Sequence, residues 1–288
     1  MALSGGITPV QSVVEAAWVL AHEACGEAGL IVEDAHDSSS CQRVADVLNS
    51  IWERPGTEMI DASILVAFAH AGNLVTAAVK DGKLIGGAAG FCGPLGMPFH
   101  SHVVGFLPEA VGNGAGRAMK LYQRAWCLER GIDTMTWTYD PLVSRNGYFN
   151  IRRLGATVMR YYPDFYGVMT DLINAGQHSD RVLVRWDLAR IPPSRESPGA
   201  ALPLGHAQQA IADRDGSPTV YVPPADMSAP VLVAVPIDIE SMRRIHPPLA
   251  GEWRVQTRAA LTDLLSSGWA VTDFTRSGQY VLRNERTL

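Results

Sequence analysis

The segment FHSHVVGFLPEAVGNGAG, residues 99–116, constrains the fold more than any other part of the chain. An apolar strand runs into a glycine-rich turn, and a helical pattern begins immediately after it. Glycines let the backbone come close to a ligand, and the first N–H groups of a helix have no partner within that helix. The segment therefore predicts an α/β protein with an anion site at this turn, suited to a pyrophosphate.

The spacing of the glycines excludes two common phosphate-binding motifs. A Walker loop needs Lys and then Ser or Thr after its last glycine, but Gly116 is followed by Arg117 and Ala118. A dinucleotide fingerprint needs the spacing G-x-G-x-x-G, whereas Gly112, Gly114 and Gly116 are spaced by two. Neither a P-loop nor a Rossmann site is predicted.

The remaining pattern resembles the acyl-CoA loop of the GNAT superfamily of N-acyltransferases. That loop has the pattern Arg/Gln-x-x-Gly-x-Gly/Ala after a strand that ends in an apolar-x-Pro segment, and here VGNGAG follows Phe106, Leu107 and Pro108. Val111 stands where the family has Arg or Gln, which removes one side-chain contact. The resemblance implies that acetyl-CoA or another acyl-CoA is held mainly by backbone amides. It assigns these residues to the cofactor: Val104, Gly105, Phe106, Val111, Gly112, Asn113, Gly114, Ala115, Gly116, Arg117 and Asn146.

The resemblance also implies that the strand before the loop separates from a neighbouring strand. A backbone N–H freed in this way points at the thioester carbonyl in the family, and here it would come from Val104, Gly105 or Phe106. A glycine at position 105 fits a β-bulge.

Two histidines on the same strand are the candidate base. His100 and His102 are two residues apart, so both side chains leave the same face of the sheet. Histidine can accept a proton from an ammonium group near neutral pH. The pair resembles the histidine pair of the serotonin N-acetyltransferases, which relays the amine proton, but an ordinary hydrogen-bonded role for both residues stays open.

The general acid departs from the family pattern. Most members place a Tyr four residues before the Gly that ends the helix after the fifth strand, and counting back from Gly155 gives Ile151. Tyr148 is the best-placed alternative, and protonation of the thiolate by water is the other. Asp140 is a further candidate, either orienting a histidine or binding the substrate ammonium, or else capping the turn before Pro141.

Composition excludes several other classes. The net charge of −5 and the absence of a basic run argue against nucleic acid as a partner. The cysteines at positions 25, 41, 92 and 127 form no C-x-x-C pair, so neither a disulfide framework nor a metal site is predicted. No apolar run is long enough to cross a membrane, and the first residues do not form a signal peptide. We therefore expect a cytoplasmic protein.

Hydrophobic periodicity divides the chain into helices and strands. Helices are predicted near 10–21, 41–52, 61–72, 116–130, 146–154 and 253–265, and strands near 74–80, 83–91, 100–107, 134–139, 157–162, 182–188, 231–235, 269–274 and 279–282. Asp81-Gly82 predicts a two-residue hairpin. The order of elements over residues 10–190 is that of the GNAT fold, and the segment WTYDPL, residues 137–142, resembles a GNAT subgroup with a C-terminal extension.

The sequence thus predicts a mixed, mostly antiparallel central sheet with flanking helices, plus a small C-terminal α/β extension. The expected domains are an acyltransferase domain at 1–190, a proline-rich linker or irregular excursion at 191–230, and an extension at 231–288 that packs on the main domain. The expected reaction is transfer of an acetyl or succinyl group from acyl-CoA to a small amine or amino acid. The alternative is an acyl-CoA-binding or regulatory module without turnover, and a homodimer stays open.

Overall fold

A computed structural model describes residues 9–52, 58–167, 178–193 and 204–287. The chain divides into two compact units, each built from two segments. The first contains Met1–Thr136 and Asp187–Arg190, and the second contains Trp137–Trp186 and Ile191–Leu288. Residues 137–186 therefore group with the C-terminal part of the chain and not with the predicted 1–190 domain.

The first unit is a sheet flanked by helices. Its helices are α1 (Pro9–Ala28), α2 (Ser38–Ile51), α3 (Ala62–His70) and α4 (Ala115–Glu129). Its strands are β1 (Ile31–Asp34), β2 (Leu74–Lys80), β3 (Lys83–Cys92), β4 (Phe99–Phe106) and the first half of β5 (Thr134–Tyr139). They lie in the order β1-β2-β3-β4-β5, antiparallel from β1 to β4, with β5 parallel to β4. This confirms the predicted class, a mixed and mostly antiparallel sheet.

Local signals account for several element boundaries in this unit. Asp61 caps α3 as expected, because its carboxylate accepts the N–H of Ser63 at 2.7 Å. Asp81 and Gly82 both have positive φ, at 50° and 72°, which is the conformation that a tight hairpin between β2 and β3 requires. Strand β1 was not predicted, because four residues at the end of a sheet give too short a hydrophobic pattern.

Glycines let α2 approach the sheet closely. A Cβ built on Gly87 would lie 2.9 Å from Val44 Cγ1, and one on Gly105 would lie 2.5 Å from Trp52 Cζ3. Apolar side chains fill the rest of this layer. The buried members of the cluster are Ala35, Cys41, Val44, Ala45, Val47, Leu48, Ile60, Leu65, Val75, Ala77, Ala89 and Val103.

The second unit holds the other half of β5 and a second sheet. Its further strands are β6 (Thr157–Tyr162), β7 (Arg181–Asp187), β8 (Gln208–Ile211), β9 (Asp213–Arg214), β10 (Ser217–Pro218), β11 (Val231–Ala234), β12 (Trp269–Phe274) and β13 (Gln279–Asn284). Its helices are α5 (Ser144–Gly147), which continues into a π-helical segment at Tyr148–Arg153, α6 (Ile239–Ile245) and α7 (Pro247–Ser266). Strands β5, β7 and β6 are neighbours in that order, and the second sheet has the order β12-β13-β11-β8. None of the helices described here is long and apolar enough to cross a membrane.

The predicted linker at 191–230 contains a strand of the second sheet. Strand β8 pairs in parallel with β11, and its residues Ala210 and Ile211 are buried. Two buried apolar residues are too few for a periodic pattern, and their pairing partner lies about twenty positions along the chain, so local sequence did not reveal the strand. Residues 194–203 of that prediction lie outside the described residues.

The C-terminal segment packs on residues 137–186 through several elements. Helix α7 contacts β6, and β12 contacts both β6 and the π-helical segment. A Cβ on Gly147 would lie 2.5 Å from the ring of Phe274, so the backbone of α5 rests directly on that ring. These contacts explain why the second unit combines two segments that the sequence analysis assigned to different domains.

The glycines of β3 give a stability prediction. A Cβ on Gly86 would collide with the carbonyl oxygen of Gly105 and lie 2.6 Å from Phe106 Cδ1. We expect Gly86→Ala to lower the free energy of unfolding by about 1–3 kcal/mol in urea denaturation, because the backbone of β4 must move. The matched control is Gly26→Ala in the exposed part of α1, where a Cβ would have nothing within 4 Å. That control should gain about 0.5–1 kcal/mol, and equal stability of the two variants would contradict the prediction.

Candidate active site

Strand β4 carries a β-bulge at His102. Its antiparallel register with β3 runs from Phe99 opposite Cys92 to Phe106 opposite Gly86, and it shifts between Ser101 and Val103, leaving His102 as the extra residue. The bulge expected at Gly105 therefore lies three residues earlier. The glycine at 105 is instead explained by the close contact with the Trp52 ring.

The hydrogen-bond pattern decides which N–H groups of β4 can reach a ligand. The N–H of Leu107 donates to the carbonyl of Ile85 at 2.8 Å. Because N–H directions alternate along an antiparallel strand, the N–H of Gly105 also points towards β3, whereas those of Val104 and Phe106 point to the opposite edge. Val104 and Phe106 thus fit the predicted donor role, and Gly105 does not.

Within the first unit, the edge of β4 that faces away from β3 is paired only at the start of the strand. Parallel pairing with β5 comprises Phe99 opposite Met135 and His100 opposite Thr136. Beyond His100 the strand keeps its pairing with β3 alone. The N–H groups of Val104 and Phe106 therefore lie on the edge of β4 that has no paired strand at these positions within the described part of the first unit.

The glycine loop connects this edge to α4. A short 3₁₀ turn at Pro108–Ala110 is followed by Gly112 and Gly114, whose φ angles are +89° and +92°. Gly114 caps α4 without any side-chain hydrogen bond, and its carbonyl accepts the first helical bond from the N–H of Ala118 at 3.0 Å. The N–H groups of residues 115–117 precede that bond and are oriented towards the loop.

The surroundings of the loop fit an anionic group. Val111, Gly112 and Asn113 are exposed, and a Cβ built on Gly112 would have nothing within 4 Å, so the loop opens to solvent. The amide of Asn113 donates to the carbonyl of Glu109 at 3.3 Å, which fixes the loop. At this position the first N–H groups of the 15-residue helix α4 can donate hydrogen bonds to a pyrophosphate, and the positive end of the helix favours its negative charge.

The two histidines form a cluster with an aromatic side chain. The ring centroids of His100 and His102 are 6.3 Å apart. The centroid of the Phe91 ring lies 5.3 Å from that of His100 and 6.0 Å from that of His102. The Nδ1 atom of His100 is 3.3 Å from the hydroxyl oxygen of Thr136. Sequence analysis did not identify Phe91 or Thr136, although the hairpin register places Phe91 opposite His100.

Both imidazoles are held in their neutral form. Burial, followed by the charges of His102 and Lys120, lowers the pKa of His100 from its ordinary value to about 4. Loss of water around the ring also lowers the pKa of His102. Both nitrogen bases are therefore available to accept a proton at neutral pH.

Asp140 is a buried ion-pair partner in the second unit. The guanidinium of Arg254 donates to both carboxylate oxygens at 2.7 Å, and that of Arg243 donates to one of them. The N–H of Leu142 donates to the same carboxylate at 2.9 Å, which is the turn-capping role considered for this residue. These bonds occupy the carboxylate, so we do not propose Asp140 as a catalytic group. Its arginine partners lie more than a hundred residues away and gave no local signal.

The remaining predicted residues also belong to the second unit. Asn146 is half-buried in α5, and Tyr148 begins the π-helical segment, a type of helix often found at functional sites. The Nε–H of Arg276 donates to the Tyr148 hydroxyl at 3.3 Å. Ile151, at the position of the family Tyr, is buried, and Gly155 ends the segment with a φ of +73°.

Comparison with known proteins found similarity in solved structures. No protein-family model and no curated protein matches the chain. A protein from Desulfovibrio desulfuricans that is assigned as an acetyltransferase of the GNAT family is 15% identical, covers 55% of this chain and 99% of its own, and gives a TM-score of 0.42. The yncA protein of Salmonella typhimurium, assigned as an acetyltransferase and solved with its cofactor acetyl-CoA, is 21% identical over 60% of this chain and 99% of its own, with a TM-score of 0.42. The ribosomal-protein-S18-alanine N-acetyltransferase of Escherichia coli is 11% identical over 56% of this chain and 96% of its own, with a TM-score of 0.45.

Similarity at this level concerns the fold alone and does not identify a reaction or an acceptor. The order of helices and strands predicted for the GNAT fold over residues 10–190 is the order that the chain adopts, with β1 added.

The ion pair of Asp140 gives a second stability prediction. Burial alone would raise the pKa of this carboxyl, but the charges and hydrogen bonds of Arg254, with the charge of Arg243, outweigh it and hold the pKa well below the usual range. Its contribution is therefore fully present above the unfolded-state pKa of about 4 and is lost as the pH falls towards the folded-state value. We expect Asp140→Asn to lower the free energy of unfolding at pH 7 by about 3–5 kcal/mol, measured by urea denaturation.

The control for Asp140→Asn is Asp187→Asn, whose partner Arg190 is exposed and 3.2 Å away. An exposed pair contributes about 0–1 kcal/mol. The Asp140 variant should also lose less stability than the wild type as the pH falls below about 4. An effect no larger than that of the control would show that the Asp140 cluster does not stabilise the second unit.

Proposed function

We propose that this protein is an acyl-CoA-dependent N-acyltransferase that transfers an acetyl or succinyl group to a small amine or amino acid. The observation that carries the proposal is the open edge of β4, where pairing with β5 ends at His100, directly ahead of the glycine loop and α4. A strand edge with unpaired N–H groups beside an anion site suits a long ligand that has a pyrophosphate and a carbonyl group at separate points.

The glycine loop would hold the pyrophosphate of acyl-CoA. Backbone N–H groups from Gly112 to Arg117 would supply the hydrogen bonds, and the positive φ angles of Gly112 and Gly114 give the loop its shape. Val111 is 56% exposed and contributes no charge. Binding would therefore depend on the backbone and on the α4 dipole. Acyl-CoA, when bound, supplies the activated acyl group as a thioester.

The residues of β4 would provide the polar groups for acyl transfer. The N–H groups of Val104 and Phe106 are the donors that face the open edge, and such fixed donors stabilise negative charge that develops on a carbonyl oxygen. His100 and His102, which are neutral at pH 7, would accept the proton of the substrate ammonium. Thr136 would fix the orientation of the His100 ring through its hydroxyl.

A binding module without turnover is the second candidate. Two observations favour it: an exposed Val111 where the family has a charged or polar side chain, and a buried Ile151 where it has a Tyr acid. The two candidates differ in thiol release. We expect free CoA to accumulate when the protein is incubated with acetyl-CoA or succinyl-CoA and pooled amines and amino acids, whereas tight CoA binding without thiol release would support the binding module.

The loop predicts a specific effect on CoA affinity. Replacing Gly114 with Val puts a β-branched side chain at a φ of +92° and a Cβ in the phosphate cradle, so CoA binding should be lost in isothermal titration calorimetry. The matched control is Gly131→Val at the other end of α4, where φ is +71° and a Cβ would meet nothing within 4 Å. Both variants carry similar backbone strain, but only Gly114→Val should lose CoA. Unchanged affinity in a folded Gly114→Val protein would refute the loop assignment.

The histidine pair predicts the pH dependence of the reaction. A base loses activity as the pH falls through its pKa, so the acid limb of the thiol-release rate should lie below the ordinary histidine value and extend towards about pH 4. The double variant His100→Gln/His102→Gln should lose about 10²–10⁴-fold in rate while it still binds CoA. The exposed pair His70→Gln/His206→Gln is the control and should keep the wild-type profile. A full rate in the first variant would remove both histidines from the mechanism.

A further inference from the structure

Lys120 is a buried lysine at the point where β4 and β5 part. Only 5% of its surface is exposed, and its Nζ donates to the Ser101 hydroxyl on β4 at 2.8 Å. The same Nζ lies 4.0 Å from the sulfur of Met135 on β5. His100 and Thr136 form the last pair between β4 and β5. Ser101 directly follows His100, and Met135 directly precedes Thr136. The ammonium group therefore lies close to the junction, the point where the pairing of β4 with β5 ends.

Lys120 and the histidines lie on opposite faces of one strand. The side chain of Ser101 points to α4, where it also donates to Gln123 Oε1 at 3.0 Å, and the preceding residue His100 points to Phe91 on the other face. Ser101 and Gln123 are both buried, so little water separates the ammonium group from β4. The Lys120 ammonium group and the His100 imidazole are thus separated by a strand with little water around it. A positive charge on the lysine therefore disfavours protonation of the imidazole.

We infer that Lys120 is a positioning residue that anchors β4 at the junction through Ser101 and keeps His100 in its neutral, proton-accepting form. This inference rests on the proposed function, since a neutral His100 matters most if it receives the amine proton. Lys120 acts through Ser101, to which its Nζ donates, and through its charge. Its effect on the reaction is electrostatic and structural.

The protonation states are consistent with this role. Burial lowers the pKa of Lys120 to about 7. His100 titrates at about 4, where Lys120 carries its proton, so the full charge acts during the titration of His100. His102, on the same strand, also acts on His100, and its charge works in the same direction as that of Lys120.

A histidine NMR titration of the intact protein without substrate tests the inference. We expect His100 in the wild type to titrate near pH 4, with a second inflection of its imidazole shifts near pH 7 where Lys120 loses its proton. In Lys120→Met, which keeps the length of the side chain but removes the charge, the midpoint should rise by at least about half a pH unit. The inflection near pH 7 should disappear. The control Lys83→Met, at an exposed position on β3, should leave both features unchanged.

A second variant separates the charge from the anchor. Ser101→Ala removes the hydrogen bond and leaves the ammonium group, so the midpoint of His100 should move less than in Lys120→Met. An unchanged midpoint in folded Lys120→Met would overturn the inference. If that variant does not fold, absence of the wild-type inflection near pH 7 would overturn it equally.

The activity assay distinguishes this inference from the proposed function. Coupling between Lys120 and His100 in the NMR titration, together with no thiol release from any acyl-CoA, would reject the function and leave the electrostatic link in place. Thiol release with an acid limb that does not move in Lys120→Met would reject the role of Lys120 and leave the function in place. An acid limb that moves to higher pH in Lys120→Met would support both.

Discussion

The unequal hydrogen bonding of the two edges of β4 is the constraint on which the candidate site depends. One edge pairs with β3 along the whole strand, and the other pairs with β5 at two residue pairs only. A strand held firmly on one side can leave the N–H groups of Val104 and Phe106 unpaired on the other without losing its place in the sheet. The packing of Ile51 and Trp52, at the end of α2, on Gly105 and the Lys120–Ser101 bond both fix this strand, from its two faces.

Local patterns in the sequence predicted most of the first unit. The hairpin at Asp81-Gly82, the cap at Asp61, the strand before the glycine loop and the helix after it follow from residues that are neighbours in the chain. Within β4 the sequence did not determine the directions of the N–H groups. The bulge at His102 and the orientation of the Gly105 N–H depend on the register with β3, which alternation alone does not determine.

The parts that sequence did not predict depend on contacts between distant residues. Strand β8 exists because β11 supplies its backbone partners, and the surroundings of Asp140 depend on arginines that lie on α6 and α7. Lys120 is a charged residue of α4, and it is buried where its ammonium group meets Ser101 and Met135. In each case the local sequence is typical of an exposed or irregular position, and the partner that explains the observed structure comes from a distant part of the chain.

The burial of Asp140 has a consequence for how the chain can be divided. The sequence analysis assigned residues 137–186 to the first domain, yet the arginines that donate to Asp140 come from positions 243 and 254. A chain cut after residue 190 would retain this buried carboxylate without the two arginines that donate hydrogen bonds to it, which is a costly way to keep a charge out of water. The C-terminal hundred residues are therefore better regarded as the second half of one folding unit than as an accessory that could be gained or lost separately.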